Sequence, residues 1–89
     1  KDMTVEEIRT KLLSGNFQQQ LEARKQIDKL EPEEKLRVLL KLADDSAAKN
    51  RLLAVSKLRG IDDSKAREKL IWLAGNDPDE TVRELAGGK

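Results

Sequence analysis

The chain has 89 residues, 39% of them charged, with 18 Lys and Arg against 17 Asp and Glu for a net charge of +1. That near-balance creates no field to steer the protein toward nucleic acid or acidic lipid. The absence of Cys and His excludes disulfides, thiol chemistry, imidazole acid–base work and most metal sites.

With one Trp, one Phe and no Tyr, burial falls to Leu, Ile, Val and Ala, in a single domain near the smallest size that one core can hold. The chain opens on Lys1 rather than Met, as a processed or excised chain would. Thr4 and Glu7 then form a T-x-x-E capping box, and Gly15 is placed to close that helix. Asn16, with Gln19 three residues on, starts a second helix carrying Phe17, Leu21, Ala23, Ile27 and Leu30. Pro32 opens a third, whose Leu36, Leu39, Leu40, Leu42 and Ala43 make a wide apolar stripe. The "DDS" at 44–46 breaks it, and Ser46 is placed to cap a fourth helix that runs toward Gly60. Asp62, Asp63 or Ser64 caps a fifth, rich in Leu70, Ile71, Trp72 and Leu73 and stopped by Gly75. In "GNDPDETVRELA" Asp77 reads as the N-cap of a sixth, with Pro78 at its first position and Glu80 three past the cap. The pattern predicts helices near 4–14, 16–30, 32–44, 46–59, 63–74 and 77–86 and no strand: an all-α chain. Acids four residues ahead of bases, Glu7–Lys11, Glu31–Lys35, Glu33–Arg37 and Asp63–Arg67, would each add a few tenths of a kcal/mol on an exposed face.

The apolar positions repeat. A shift of 31 places Val5 on Leu36, Ile8 on Leu39, Ala23 on Ala54, Ile27 on Leu58 and Leu42 on Leu73. A shift of 32 carries Asp45 to Asp77, Arg51 to Arg83 and Ala54 to Ala86. Three helical hairpins, 4–30, 32–60 and 62–86, followed by a disordered tail at 87–89, account for six helices with one repeated unit.

"DPDETVRELA" looks like the second-helix opening of HEAT repeats, in particular the short HEAT-like repeats of the phycobilisome-lyase type. "RLLAVSKLRG" resembles the same helix one unit earlier, with Arg51, Ala54, Leu58 and Gly60 in the family's places. The first unit departs from the pattern, with Ser14 where the turn Asp is expected and Gln20 where the Arg is expected. The resemblance implies a right-handed α-solenoid whose second helices line a concave side, and roles in scaffolding, enzyme regulation or chromophore lyases. It also implies a ladder in which Arg51 and Arg83 reach turn aspartates, Asp45 and Asp77, of neighbouring units. A guanidinium suits this because its planar fork bonds a carboxylate bidentately. Of these pairings, Asp45 with Arg83 is the expected coupling.

The function these residues point to is a non-enzymatic protein-binding scaffold in the cytoplasm, with no catalytic residue, cofactor or metal. Its candidate partner-binding residues are Gln18, Glu22, Lys25 and Lys29 on the second helix, then Lys49, Ser56 and Lys57 on the fourth. One alternative is a bilin lyase-like or phycobilisome regulatory fragment, carried only by the resemblance. Another is a nucleic-acid-binding solenoid using Lys49, Arg51, Lys57, Arg59, Lys65, Arg67 and Lys69, set against Asp62, Asp63 and Glu68. No aromatic side chains interleave with these bases for stacking, which disfavours nucleic acid. No apolar run reaches the ~20 residues of a membrane span. Asp44–Asp45 and Asp62–Asp63 fall where helix caps are needed. Trp72 reads as packing between units, or as an exposed anchor for a partner. A fragment of a longer array, or a short array capped by a partner, would expose Leu73, Val82 or Leu85 on its last face and associate through it.

Overall fold

A computed structural model describes residues 4–87. Its elements are α1 (Val5–Leu13), α2 (Phe17–Lys29), α3 (Pro32–Leu42), α4 (Ala48–Leu58), α5 (Ser64–Asn76) and α6 (Glu80–Ala86), with no strand among the described residues. Residues 88 and 89 of the expected tail lie outside the described residues, and Gly87 caps α6 in αR geometry.

Most of the helices begin for a local reason. Thr4 closes a full capping box, its N–H on Glu7 Oε1 at 2.8 Å and its Oγ1 accepting the Glu7 N–H at 3.1 Å. Asn16 accepts the Gln19 N–H and Asp63 the Lys65 N–H, satisfying donors that a helix start leaves open. The last start differs from the expectation. Asp79, not Asp77, caps α6 by accepting the Val82 N–H, while Asp77 ends α5 in extended geometry. Gly75 does not stop α5 either; the helix runs through it to Asn76. Neither Gly15 nor Gly75 takes left-handed backbone, so α1 and α5 end by ordinary residues turning extended. Ser46 does not cap α4, which begins at Ala48 behind an Ala47 that carries no side-chain cap.

The core is one aliphatic cluster. Ile8, Ile27, Leu39, Leu42, Leu58, Leu73, Val38, Val55 and Val82 are buried, and Ala23, Ala43, Ala54 and Ala66 let helices approach closely between them. Burying one such Leu or Ile contributes about 1.5–3 kcal/mol. Leu73 and Val82 are therefore interior and cannot form an exposed last face. The expected i,i+4 pairs also lose their bases to other acids. Lys11 goes to Glu22, Lys35 to Asp28, Arg37 to Glu34 and Arg67 to Asp62. Pairs worth a few tenths of a kcal/mol give way readily to any nearby carboxylate.

The helices pack as α1 on α2, α3 on α4 and α5 on α6. The second and third pairs join closely through α4 and α6, whereas the first attaches mainly through α1 against α3 and α4 and through α2 against α3. No Cα of α2 comes within 8 Å of one in α4. The Cα radius of gyration, 12.4 Å, matches the about 12 Å of a compact chain this long.

Candidate binding surfaces

A turn with fixed chemistry recurs between the helices of each pair. Ser14, Asp45 and Asp77 each accept, through the side chain, the N–H two residues on: Asn16, Ala47 and Asp79, all at 2.9 Å. Six residues after each stands a donor to that turn residue's own carbonyl: Gln20 to Ser14 O, Arg51 to Asp45 O at 2.9 Å and Arg83 to Asp77 O at 2.7 Å. Gln20 thus retains the half of the arginine's work that stays within a unit. What it lacks is the reach to the next unit.

That reach is what Arg51 supplies. Its Nε and Nη2 bond the two oxygens of Asp77 at 2.8 and 3.2 Å, while Nη1 holds Asp45 O and Ser46 O. The pair is nearly dry, with 12% of the Arg51 and 1% of the Asp77 side chain exposed. The expected Asp45–Arg83 contact does not form, because the pairing runs forward along the chain. The Asp45 carboxylate is taken by Arg9 of α1, the Ala47 N–H and Asn50, and Arg83 turns to the Asp77 carbonyl. Burial pushes the Asp45 carboxyl up, but these donors outweigh it and hold it below its ordinary 3.8.

The other carboxylates of the acidic pairs are likewise committed. Asp44 binds Lys69 at 2.8 Å, Asp62 binds Arg67 at 2.7 Å and Asp63 caps α5.

The stripe expected to bind a partner is dispersed. Gln18, Glu22, Lys25 and Lys29 are exposed along α2, and Lys49 and Ser56 are exposed on α4. Between the two helices Asp28 pairs with Lys57 at 2.7 Å. The Lys57 bond holds the Asp28 carboxyl below its ordinary value. Glu22 is occupied by Lys11 and Ser56 by the Leu53 carbonyl. Lys25, Lys29 and Lys49 carry no ion pair among the described residues.

The aromatics lie on the surface as well. The chain has two aromatic side chains, and both are outside the core: Phe17 is 69% and Trp72 54% exposed. Aromatics bury more area than any other side chain and usually dominate cores, so placing both at the surface leaves apolar area open to a partner. Trp72 stands at one end of a groove between α3 and α5. Two adjoining depressions, 530 and 460 Å³, share Leu40 and Lys65. Leu36 and Leu40 form the apolar floor; Glu33, Arg37, Glu68 and Lys69 supply walls of both signs. Lys69 Nζ lies 5.8 Å from the Trp72 ring centroid while bonded to Asp44, so the indole is held from one side by a cation that is itself anchored. From Glu33 to Leu40 the groove follows α3 for about two turns, roughly 10 Å at 1.5 Å per residue, and Asp44 lines it just past the helix end. The sequence marked Trp72 as a possible anchor, but the groove itself comes from the seating of α5 beside α3, which no local pattern encodes.

Comparison of this sequence with protein-family models, with curated proteins and with solved structures finds no match.

Proposed function

We propose that the chain is a non-enzymatic protein-binding module, built as a short right-handed solenoid of HEAT-like hairpins, that grips a partner segment in the α3–α5 groove. The observation that carries this reading is the exposure of Trp72 beside an apolar floor of Leu36 and Leu40. A groove of about two helical turns with mixed-sign walls suits an amphipathic helix laying apolar residues onto Leu36, Leu40 and Trp72. Covering the open half of the indole would remove about 130 Å² from water, a gross gain of about 3 kcal/mol from which the cost of ordering the partner is subtracted.

Four of the seven bases between 49 and 69, namely Arg51, Lys57, Arg67 and Lys69, already hold carboxylates. This charge pairing counts against a nucleic-acid-binding face. No helix among the described residues is long and apolar enough to cross a membrane.

The test uses a photo-crosslinker at Lys65 to find the partner in the source cell, followed by titration of that partner against variants. Trp72→Ala should weaken binding tenfold or more with helicity unchanged. The emission of the sole Trp should shift to the blue when the partner binds. Full affinity in Trp72→Ala would place recognition elsewhere.

A further inference from the structure

Arg51 and Arg83 stand at the same place in successive units, 32 residues apart. Each fixes its guanidinium by donating Nη1 to the carbonyl of its own turn aspartate. On Arg51 the remaining edge grips the next unit's Asp77 with two bonds. On Arg83 that same edge has no partner among the described residues, although the side chain is half-buried and held in place.

The surroundings of Arg83 repeat as well. Ile71 follows Leu40, and Ala74 follows Ala43, by 31; Gly87 follows Val55 by 32. Leu40, Ala43 and Val55 are packed in the second unit. Ile71 is 73% exposed, and a depression of 380 Å³ opens beside Ala74, Glu80, Arg83, Glu84 and Gly87.

We propose that this outer face of α5 and α6 docks a helical hairpin of a partner protein, seated as α5–α6 is seated on α3–α4. An aspartate in the partner's inter-helix turn occupies the Nε–Nη2 edge of Arg83. The chemistry follows from the chain's own template, since a fixed guanidinium fork accepts a carboxylate through two parallel bonds. A second copy stacked head to tail does not supply it. The first-unit turn carries Ser14, whose hydroxyl accepts the Asn16 N–H, and no carboxylate. Glu80 and Glu84 stand where the second unit has Ala48 and Leu52, so the partner must also bring bases to the rim, which narrows its identity. The proposal is independent of the α3–α5 groove, with which this face shares no lining residue.

The experiment appends a second copy of residues 56–87 directly after Gly87, which keeps the 32-residue step and presents a hairpin with a turn aspartate at high effective concentration. It is made both in the native sequence and with Glu84→Leu on the accepting face. Urea unfolding is measured for Arg83→Gln, for Asp77→Asn in the appended copy, and for the two combined. The expected result is a single transition, coupling of about tenfold in the unfolding constant between the two substitutions, and slowing of Arg83 Nε–H solvent exchange by tenfold or more. Additive substitutions with an unprotected Nε–H overturn the proposal. So does an appended hairpin that stays unfolded in both versions while the first six helices remain intact.

Discussion

Asp77→Asn is the most informative single change in this protein. The substitution keeps the side chain's volume, and Asn Oδ1 can still accept the Asp79 N–H that the carboxylate accepts at 2.9 Å. It then places an amide NH₂ against the Arg51 Nε–H, where the second carboxylate oxygen accepted at 2.8 Å. Removing one member of a buried ion pair typically costs 3–5 kcal/mol because the other charge is left uncompensated. Arg51 keeps its two carbonyl acceptors and 12% exposure, so the cost should sit at the low end, about 3 kcal/mol. At about 1 kcal/mol per molar urea for a chain of this length, the midpoint falls by about 3 M. The thermal midpoint should fall by about 12–24 °C. Total stability of about 4–13 kcal/mol for 89 residues makes the variant measurable, though marginal. Arg51→Gln is the natural second arm, since Gln20 already makes the within-unit carbonyl bond in the first hairpin. The double variant should be less destabilised than the sum of the singles by about 2 kcal/mol, whereas Asp45→Asn with Arg83→Gln should add to within about 0.5 kcal/mol. The reasoning fails if Arg51 and Asp77 prove additive, or if Asp45 and Arg83 couple as strongly.

The Asp45 carboxyl is lowered in the folded chain, so its contribution is complete above its ordinary 3.8 and is lost as pH falls through the folded value. Asp45→Asn should therefore be less stable than the parent at pH 7, by a gap that holds down to about pH 4 and narrows only below it, read from urea midpoints along a descending pH series; the absence of a gap at pH 7 would count against the Arg9–Asp45 link. Combined reversal to Glu of Lys25, Lys29 and Lys49, exposed and without an ion pair among the described residues, should leave helical circular dichroism intact. It should cost within about 0.5 kcal/mol per site, with Lys29 highest because it sits in the last turn of α2. If that triple reversal abolishes partner binding while Trp72→Ala does not, the α2 stripe is the recognition surface.

Sequence alone determined the number of helices, most of their starts and the period of the core. These follow from capping side chains and the 3.6-residue spacing of Leu, Ile and Ala, which act within a turn or two of the backbone, and from the 31–32 step, which is read directly along the chain. It also singled out Asp45, Arg51, Asp77 and Arg83. Their partners were decided only by tertiary structure. Which carboxylate an arginine meets depends on how one hairpin is rotated on the next, so Asp45 took Arg9 rather than Arg83, and Asp77 left its capping role to Asp79 in order to receive Arg51. The same holds for burial on α5. In the run Leu70-Ile71-Trp72-Leu73 four consecutive residues point around the whole helix, and the packing of α4 and α6 left Leu73 inside and Ile71 and Trp72 outside. Composition could say that a chain with two aromatics must build its core from aliphatics. Only the seating of α5 beside α3 made one of those aromatics the edge of a groove.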